Sequence, residues 1–123
     1  MSKYLDPHTA AALQGFFAQY RDMRYQHNLE FYKDNPELAE KIGTDISYGG
    51  KYAKIIETRN GQNASVLLFV ALETFETKNL GQVRQGDILK AASWQAPAKH
   101  ARGNIFDENP LQGVRQHGAK YLK

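Results

Sequence analysis

Asn60-Gly61 is the feature that most restricts this chain. A two-residue hairpin turn of the I′ type needs positive φ at both central residues, and Asn-Gly adopts that conformation readily. Strand-like runs flank it. In Lys51–Arg59, Tyr52, Lys54, Ile56 and Thr58 fall on one side, and Ala53, Ile55 and Glu57 on the other. The second run, Ala64 to about Thr74, has a centre, Val66-Leu67-Leu68-Phe69-Val70, that is apolar on both faces. Such a strand is central and covered on both sides, by a helix or by another subunit. Residues 75–86 read as an excursion between strands. Gly86-Asp87 restarts the pairing, and Asp87 to Ala92 forms a third strand.

The N-terminal part has the other period. Asp6-Pro7 reads as a helix start, Asp as N-cap and Pro at the first helical position. Leu13, Phe16, Phe17, Tyr20 and Met23 then mark one helical face, and the pattern continues toward Phe31-Tyr32. Asp34-Asn35-Pro36 interrupts it. Asn35 is placed to cap a short second helix, Pro36 to Lys41, closed by Gly43, and Tyr48-Gly49-Gly50 is a turn. The expected fold is α+β. An N-terminal amphipathic helix packs on a three- or four-stranded antiparallel sheet, and an irregular basic C-terminal segment follows. One domain is expected over 1–123: a helical part at 6–43, a sheet part at 50–92, a basic loop at 93–106, and a tail at 109–123 that is either a short helix or mobile.

Composition excludes several classes. Of 123 residues, 41% are apolar and 24% charged, which suits one modest core and not a disordered chain. There is no cysteine, hence no disulfide scaffold, cysteine–zinc site or cysteine nucleophile. The longest apolar run, Val66 to Leu72, is far below the roughly 20 residues of a membrane-spanning helix, and no signal pattern opens the chain. A cytoplasmic protein without membrane partners is expected. The net charge of +3 is uneven. Residues 1–50 hold five Lys/Arg against seven acids, net −2; residues 51–123 hold eleven against six, net +5. A basic sheet beside an acidic helical part points to an anionic partner for the sheet.

Residues 90–105 concentrate that signal. The single Trp94 lies among Lys90, Lys99 and Arg102 with no acid between them, and Ala96, Ala98, Ala101 and Gly103 permit close approach of a partner. Bases stack on aromatic rings for about 1–3 kcal/mol each while Lys and Arg follow the phosphates, which is the chemistry of single-strand binding. Tyr48, Lys51, Tyr52 and Lys54 repeat the aromatic–cation alternation on the first strand, and Arg84 precedes the third. The candidate nucleic-acid-binding residues are therefore Tyr48, Lys51, Tyr52, Lys54, Arg84, Lys90, Trp94, Lys99 and Arg102. Taken alone, Trp94 fits a core or half-core position with its indole N–H on a carbonyl. The binding reading requires it to face outward.

The same segment resembles a group of small bacteriophage-encoded proteins. The likeness covers roughly residues 48–107: Lys-Tyr-x-Lys-Ile-Ile at Lys51–Ile56, Phe69-Val70, and Gly-Asp-Ile-Leu-Lys-Ala-Ala-Ser-Trp-x-Ala-Pro-Ala-Lys-His-Ala-Arg-Gly-Asn-Ile at Gly86–Ile105. Here Ala71 to Gln85 intervene between the second and third pieces, a longer excursion than the pattern has. The chain is also similar, in size, charge and the Trp/Lys/Arg segment, to the single-stranded-DNA-binding transcription cofactors of N4-related phages. That resemblance implies work in the host cytoplasm on phage transcription or replication, with a phage or host RNA polymerase as a candidate partner.

Enzyme signatures are thin. His8, His27, His100 and His117 lack ligand spacing, and the nucleophile-elbow, phosphate-loop and dinucleotide motifs are missing. Asp87 with Asp107-Glu108 is the one carboxylate set with metal-nuclease potential. The expected function is non-catalytic binding of single-stranded DNA with little sequence preference, without cofactor or metal, by a homo-oligomer. A protein-interaction module using the acidic region Glu30 to Glu40 is the main alternative, and a virion or assembly component a third.

Overall fold

The computed structural model describes residues 6–78, 81–115 and 118–119. Helix α1 spans Pro7–Phe31. Asp6 caps it, accepting from the Thr9 backbone N–H and the Thr9 hydroxyl, each at 2.8 Å. Leu13, Phe16, Phe17 and Tyr20 form its buried face, with Arg24 one turn further on. Helix α2, Pro36–Lys41, starts on the expected proline, although the Asn35 side chain makes no capping bond.

Five strands form one antiparallel sheet in the order β1 (Ile42–Tyr48), β2 (Tyr52–Arg59), β3 (Gln62–Ala71), β6 (Asp87–Ala91), β7 (Pro97–Asn104). A small hairpin of β4 (Phe75–Thr77) and β5 (Gly81–Val83) lies between β3 and β6 in sequence. The Asn60-Gly61 turn joins β2 to β3 with φ of 54° and 79°, the left-handed conformation that the dipeptide favours. A 3-10 turn at Pro110–Gly113 and the short pair β8 (Val114–Arg115) and β9 (Gly118–Ala119) follow.

The sheet has two covered faces. On one, α1 packs Leu13, Phe16, Phe17 and Tyr20 against Ala53, Ile55, Leu68, Val70 and Ile88. On the other, Phe69, Ala71 and Leu89 are buried with Val83 of β5, and Tyr52 and Phe75 pack around them. Each fully buried large apolar side chain contributes about 1.5–3 kcal/mol relative to exposure, so both layers matter to stability.

Several sequence expectations change in detail. The excursion at 75–86 is the hairpin that covers the second face, so the chain itself supplies the cover for which a second subunit was one expected source. The sheet part begins at residue 42, because β1 occupies what reads as a helix end and a turn. The basic loop at 93–106 is a turn and then strand β7; register shifts beside Leu89 break its alternation. In the tail, Val114 is buried in the helix-side core. Among the described residues, no helix is long and apolar enough to cross a membrane.

Candidate nucleic-acid interface

The β6–β7 turn projects the only tryptophan. Ala92 and Ser93 donate their backbone N–H groups to the Ala96 carbonyl, both at 3.1 Å. The Ser93 hydroxyl accepts from the N–H groups of Gln95 and Ala96, both at 3.2 Å. From the neighbouring part of the sheet, Lys54 Nζ donates to the Trp94 backbone oxygen at 2.5 Å. The turn is thus tied at both ends and at its tip, and Trp94 is 42% exposed.

Around it lies an aromatic and cationic surface on the sheet face opposite α1. Lys54 is paired with Phe69 across β2 and β3, and its ammonium lies 5.7 Å from the Phe69 ring centroid. Tyr52 meets Phe69 and Phe75 edge-on, each with ring centroids 5.5 Å apart. Lys51 Nζ stands 4.9 Å from the centroid of Phe75, a cation–π contact. Lys51, Tyr52, Phe75 and Thr77 form one wall of a cleft of about 280 Å³, and Gln95, Ala96 and Pro97 form the other. Burial raises the Tyr52 phenol above its ordinary pKa.

The structure brings together four of the nine candidates: Lys51, Tyr52, Lys54 and Trp94. Tyr48 and Tyr52 do not act as a pair. Tyr48 lies opposite Ala53, on the helix side, and its hydroxyl accepts from Gln14 Nε2 at 2.7 Å. Lys90 is half-buried opposite Leu68, again on the helix side. Cross-strand register dictates this separation, because directly paired residues share a face and Ala53 and Leu68 both point to the helix-side core. Arg84 is exposed in the turn before β6, where its N–H donates to Asp87 Oδ2 at 2.9 Å. Arg102 is half-buried in β7. Lys99 belongs to β7, and its side chain lies outside the described residues.

Phe75, Thr77, Gln95, Ala96 and Pro97 complete the cleft and are absent from the set of nine candidates. Phe75 belongs to the excursion, whose fold-back carries no local signature; Gln95 and Pro97 had only their adjacency to Trp94.

The carboxylates singled out as a metal set do share a corner. Asn104 Nδ2 donates to Asp87 Oδ1 at 3.1 Å and to the Gln85 carbonyl at 3.0 Å. Its backbone N–H donates to Asp107 Oδ2 at 2.9 Å. Both acids therefore serve as turn acceptors that join Gly86-Asp87 to Gly103-Asn104. Among the described residues, no group of three or more His, Asp or Glu is placed to hold a metal ion.

No curated protein and no solved structure matches this chain. A family profile matches residues 11–119, from the first turns of α1 through β9, and by that match the chain belongs to DUF7717, a family of unknown function.

Proposed function

We propose that this chain is a non-catalytic, single-stranded DNA-binding protein of a bacteriophage, acting in the host cytoplasm in support of transcription or replication. The observation that carries the reading is Trp94, exposed on a turn that Lys54 ties down beside the Lys51–Tyr52–Phe75 cleft. A pre-ordered aromatic plane loses little entropy when a base stacks on it. The cations beside it suit phosphates, and the half of the chain that bears them has the basic excess. The second face of β3 is already covered within the chain, so this reading does not require an oligomer.

The test is titration of Trp94 fluorescence with single- and double-stranded oligonucleotides at several salt concentrations. Single strands should quench the indole, and the logarithm of affinity should fall with the logarithm of salt by about 0.7 for each phosphate contacted. Affinity that does not change with salt would reject the proposal.

A second reading has its own observation. The acidic stretch from Glu30 to Glu40 carries Phe31 at 70% exposure and Leu38 at 40%. An apolar pair inside an acidic surface suits a basic, amphipathic protein segment. Capture of one host protein by the intact chain, abolished by Phe31→Ser and unaffected by Trp94→Ala, would favour it over DNA binding.

A further inference from the structure

We infer that the cleft beside Trp94 is a single-nucleotide subsite, in which one unstacked base enters between the Tyr52–Phe75 wall and the Ala96-Pro97 wall. The inference rests on the single-strand reading of this same surface and adds that one position along the strand is read for its base.

The lining chooses the ligand class. Two aromatic rings and a proline make the lining largely apolar. Among the described residues, Lys51 is the only charged one lining the cleft, and no carboxylate lines it. An apolar lining with one ammonium and no carboxylate favours a planar group attached to an anion. A nucleotide has that composition, and no unmodified protein side chain combines a flat ring with a negative charge at neutral pH. The cleft of about 280 Å³ is large enough to admit one nucleoside.

Orientation follows from the polar groups. Lys51 is exposed and already reaches across the Phe75 ring, so a phosphate outside the cleft has an ammonium within reach. Gln95 is exposed on the opposite wall and presents an amide, which both donates and accepts. Such a group can bond the edge of a base. Trp94 precedes Gln95 in the same turn, so the next base along the strand meets the indole. A dinucleotide is therefore the smallest ligand that fills both positions.

The experiment uses the full chain, thymidine and adenosine mononucleotides, the corresponding dinucleotides, inorganic phosphate, and homo-oligonucleotides of the four bases. Binding is read by Trp94 fluorescence and by chemical-shift changes in Tyr52 and Phe75. Mononucleotides should shift Tyr52 and Phe75, dinucleotides should also quench Trp94, and inorganic phosphate should do neither. The wild type should prefer one homo-oligonucleotide by about fivefold, the size of one net hydrogen bond. Gln95→Ala, a change at an exposed position, should reduce that preference to within about twofold. Lys51→Met should weaken all four alike. If oligonucleotides quench Trp94 but Gln95→Ala leaves the relative affinities unchanged and mononucleotides leave Tyr52 and Phe75 unmoved, the subsite is rejected while single-strand binding stands. If mononucleotides bind and oligonucleotides do not, the cleft takes free nucleotides only, and both the single-strand reading and the subsite as a position along a strand are rejected. Absence of binding by any of these ligands rejects both.

Discussion

Lys54 and Trp94, forty residues apart in sequence, are joined by a single hydrogen bond from the ammonium to the backbone oxygen at 2.5 Å. The bond makes Lys54 a holder of the turn as well as a cation near the site. Its ammonium also lies 5.7 Å from the Phe69 ring centroid, so Lys54→Met removes that cation–π contact together with the hydrogen bond while keeping a side chain of similar length. Oligonucleotide affinity should then fall about five- to tenfold, the size of one ordinary net hydrogen bond at an exposed position. Steady-state anisotropy of Trp94 should drop as the turn loosens. The salt slope should change by less than the roughly 0.7 expected for a lost phosphate contact. A full loss of that slope with unchanged anisotropy would make Lys54 a direct phosphate contact and not a positioning residue.

Gly113 ties the C-terminal segment to the sheet through close backbone approach. A β-carbon there would lie 1.7 Å from the Arg102 carbonyl oxygen and 2.7 Å from its carbon. The obstacle is the backbone of β7, which cannot rotate away as a flexible side chain would. Gly113→Ala should therefore destabilise the fold by about 1–3 kcal/mol or more, the range for overpacked positions. The readout is the urea midpoint. An unchanged midpoint would mean that the segment carrying Val114 is not docked on the helix-side core.

Much of this architecture is legible in the order of residues alone. The face Leu13–Phe16–Phe17–Tyr20 follows the helical period, the alternation of Tyr52 to Thr58 follows the strand period, and Asn60-Gly61 specifies the turn between β2 and β3. The need to cover Val66–Val70 on both sides is legible too. What covers the second side is not, because Phe75 and Val83 come from a hairpin whose strands are only three residues long. Strand β7 escapes for a related reason: bulges shift its register, and Ala98, Ala101 and Gly103 blur its apolar pattern. For the site, residue types are informative and sides are not. Trp94 and the Lys51–Lys54 run do converge, but Tyr48 and Lys90 turn to the helix side, and a one-residue uncertainty in register is enough to reverse such an assignment.

Arg24 is a buried charge at the helix–sheet interface, at 2% exposure. Its Nη2 meets Glu57 Oε1 at 2.5 Å, and its Nη1 donates to the Gly43 carbonyl and to the Thr44 hydroxyl. Burial pulls its pKa below the ordinary guanidinium range, and Tyr20 and Glu57 oppose that shift. Removing one partner of such a pair leaves the other poorly compensated, at a cost of about 3–5 kcal/mol. Arg59 remains 3.2 Å from Glu57 and softens the loss on that side. Arg24→Met should thus fall near the lower end of the range. The double change Arg24→Met with Glu57→Leu should recover much of the stability by replacing the pair with apolar contact. Chemical denaturation of the two single variants and the double variant gives the coupling directly.

The cap of α1 supplies a pH dependence. Asp6 accepts from the Thr9 N–H and hydroxyl, and the Gln85 amide lies 3.4 Å away. The Thr9 backbone bond, followed by its hydroxyl, lowers the carboxyl below its ordinary value of 3.8. A carboxyl whose folded-state pKa is lowered binds fewer protons when folded than when unfolded. Its contribution is complete above the ordinary value and is lost as pH falls through the lower folded value. Asp6→Asn keeps a capping oxygen but removes the titration. Thermal midpoints of the two proteins should therefore run parallel from neutral pH down to the ordinary aspartate range. Below it, the wild type should fall toward the variant as the carboxylate takes up its proton. Curves that stay parallel throughout the acid range would show that the charge on Asp6 does not support the helix.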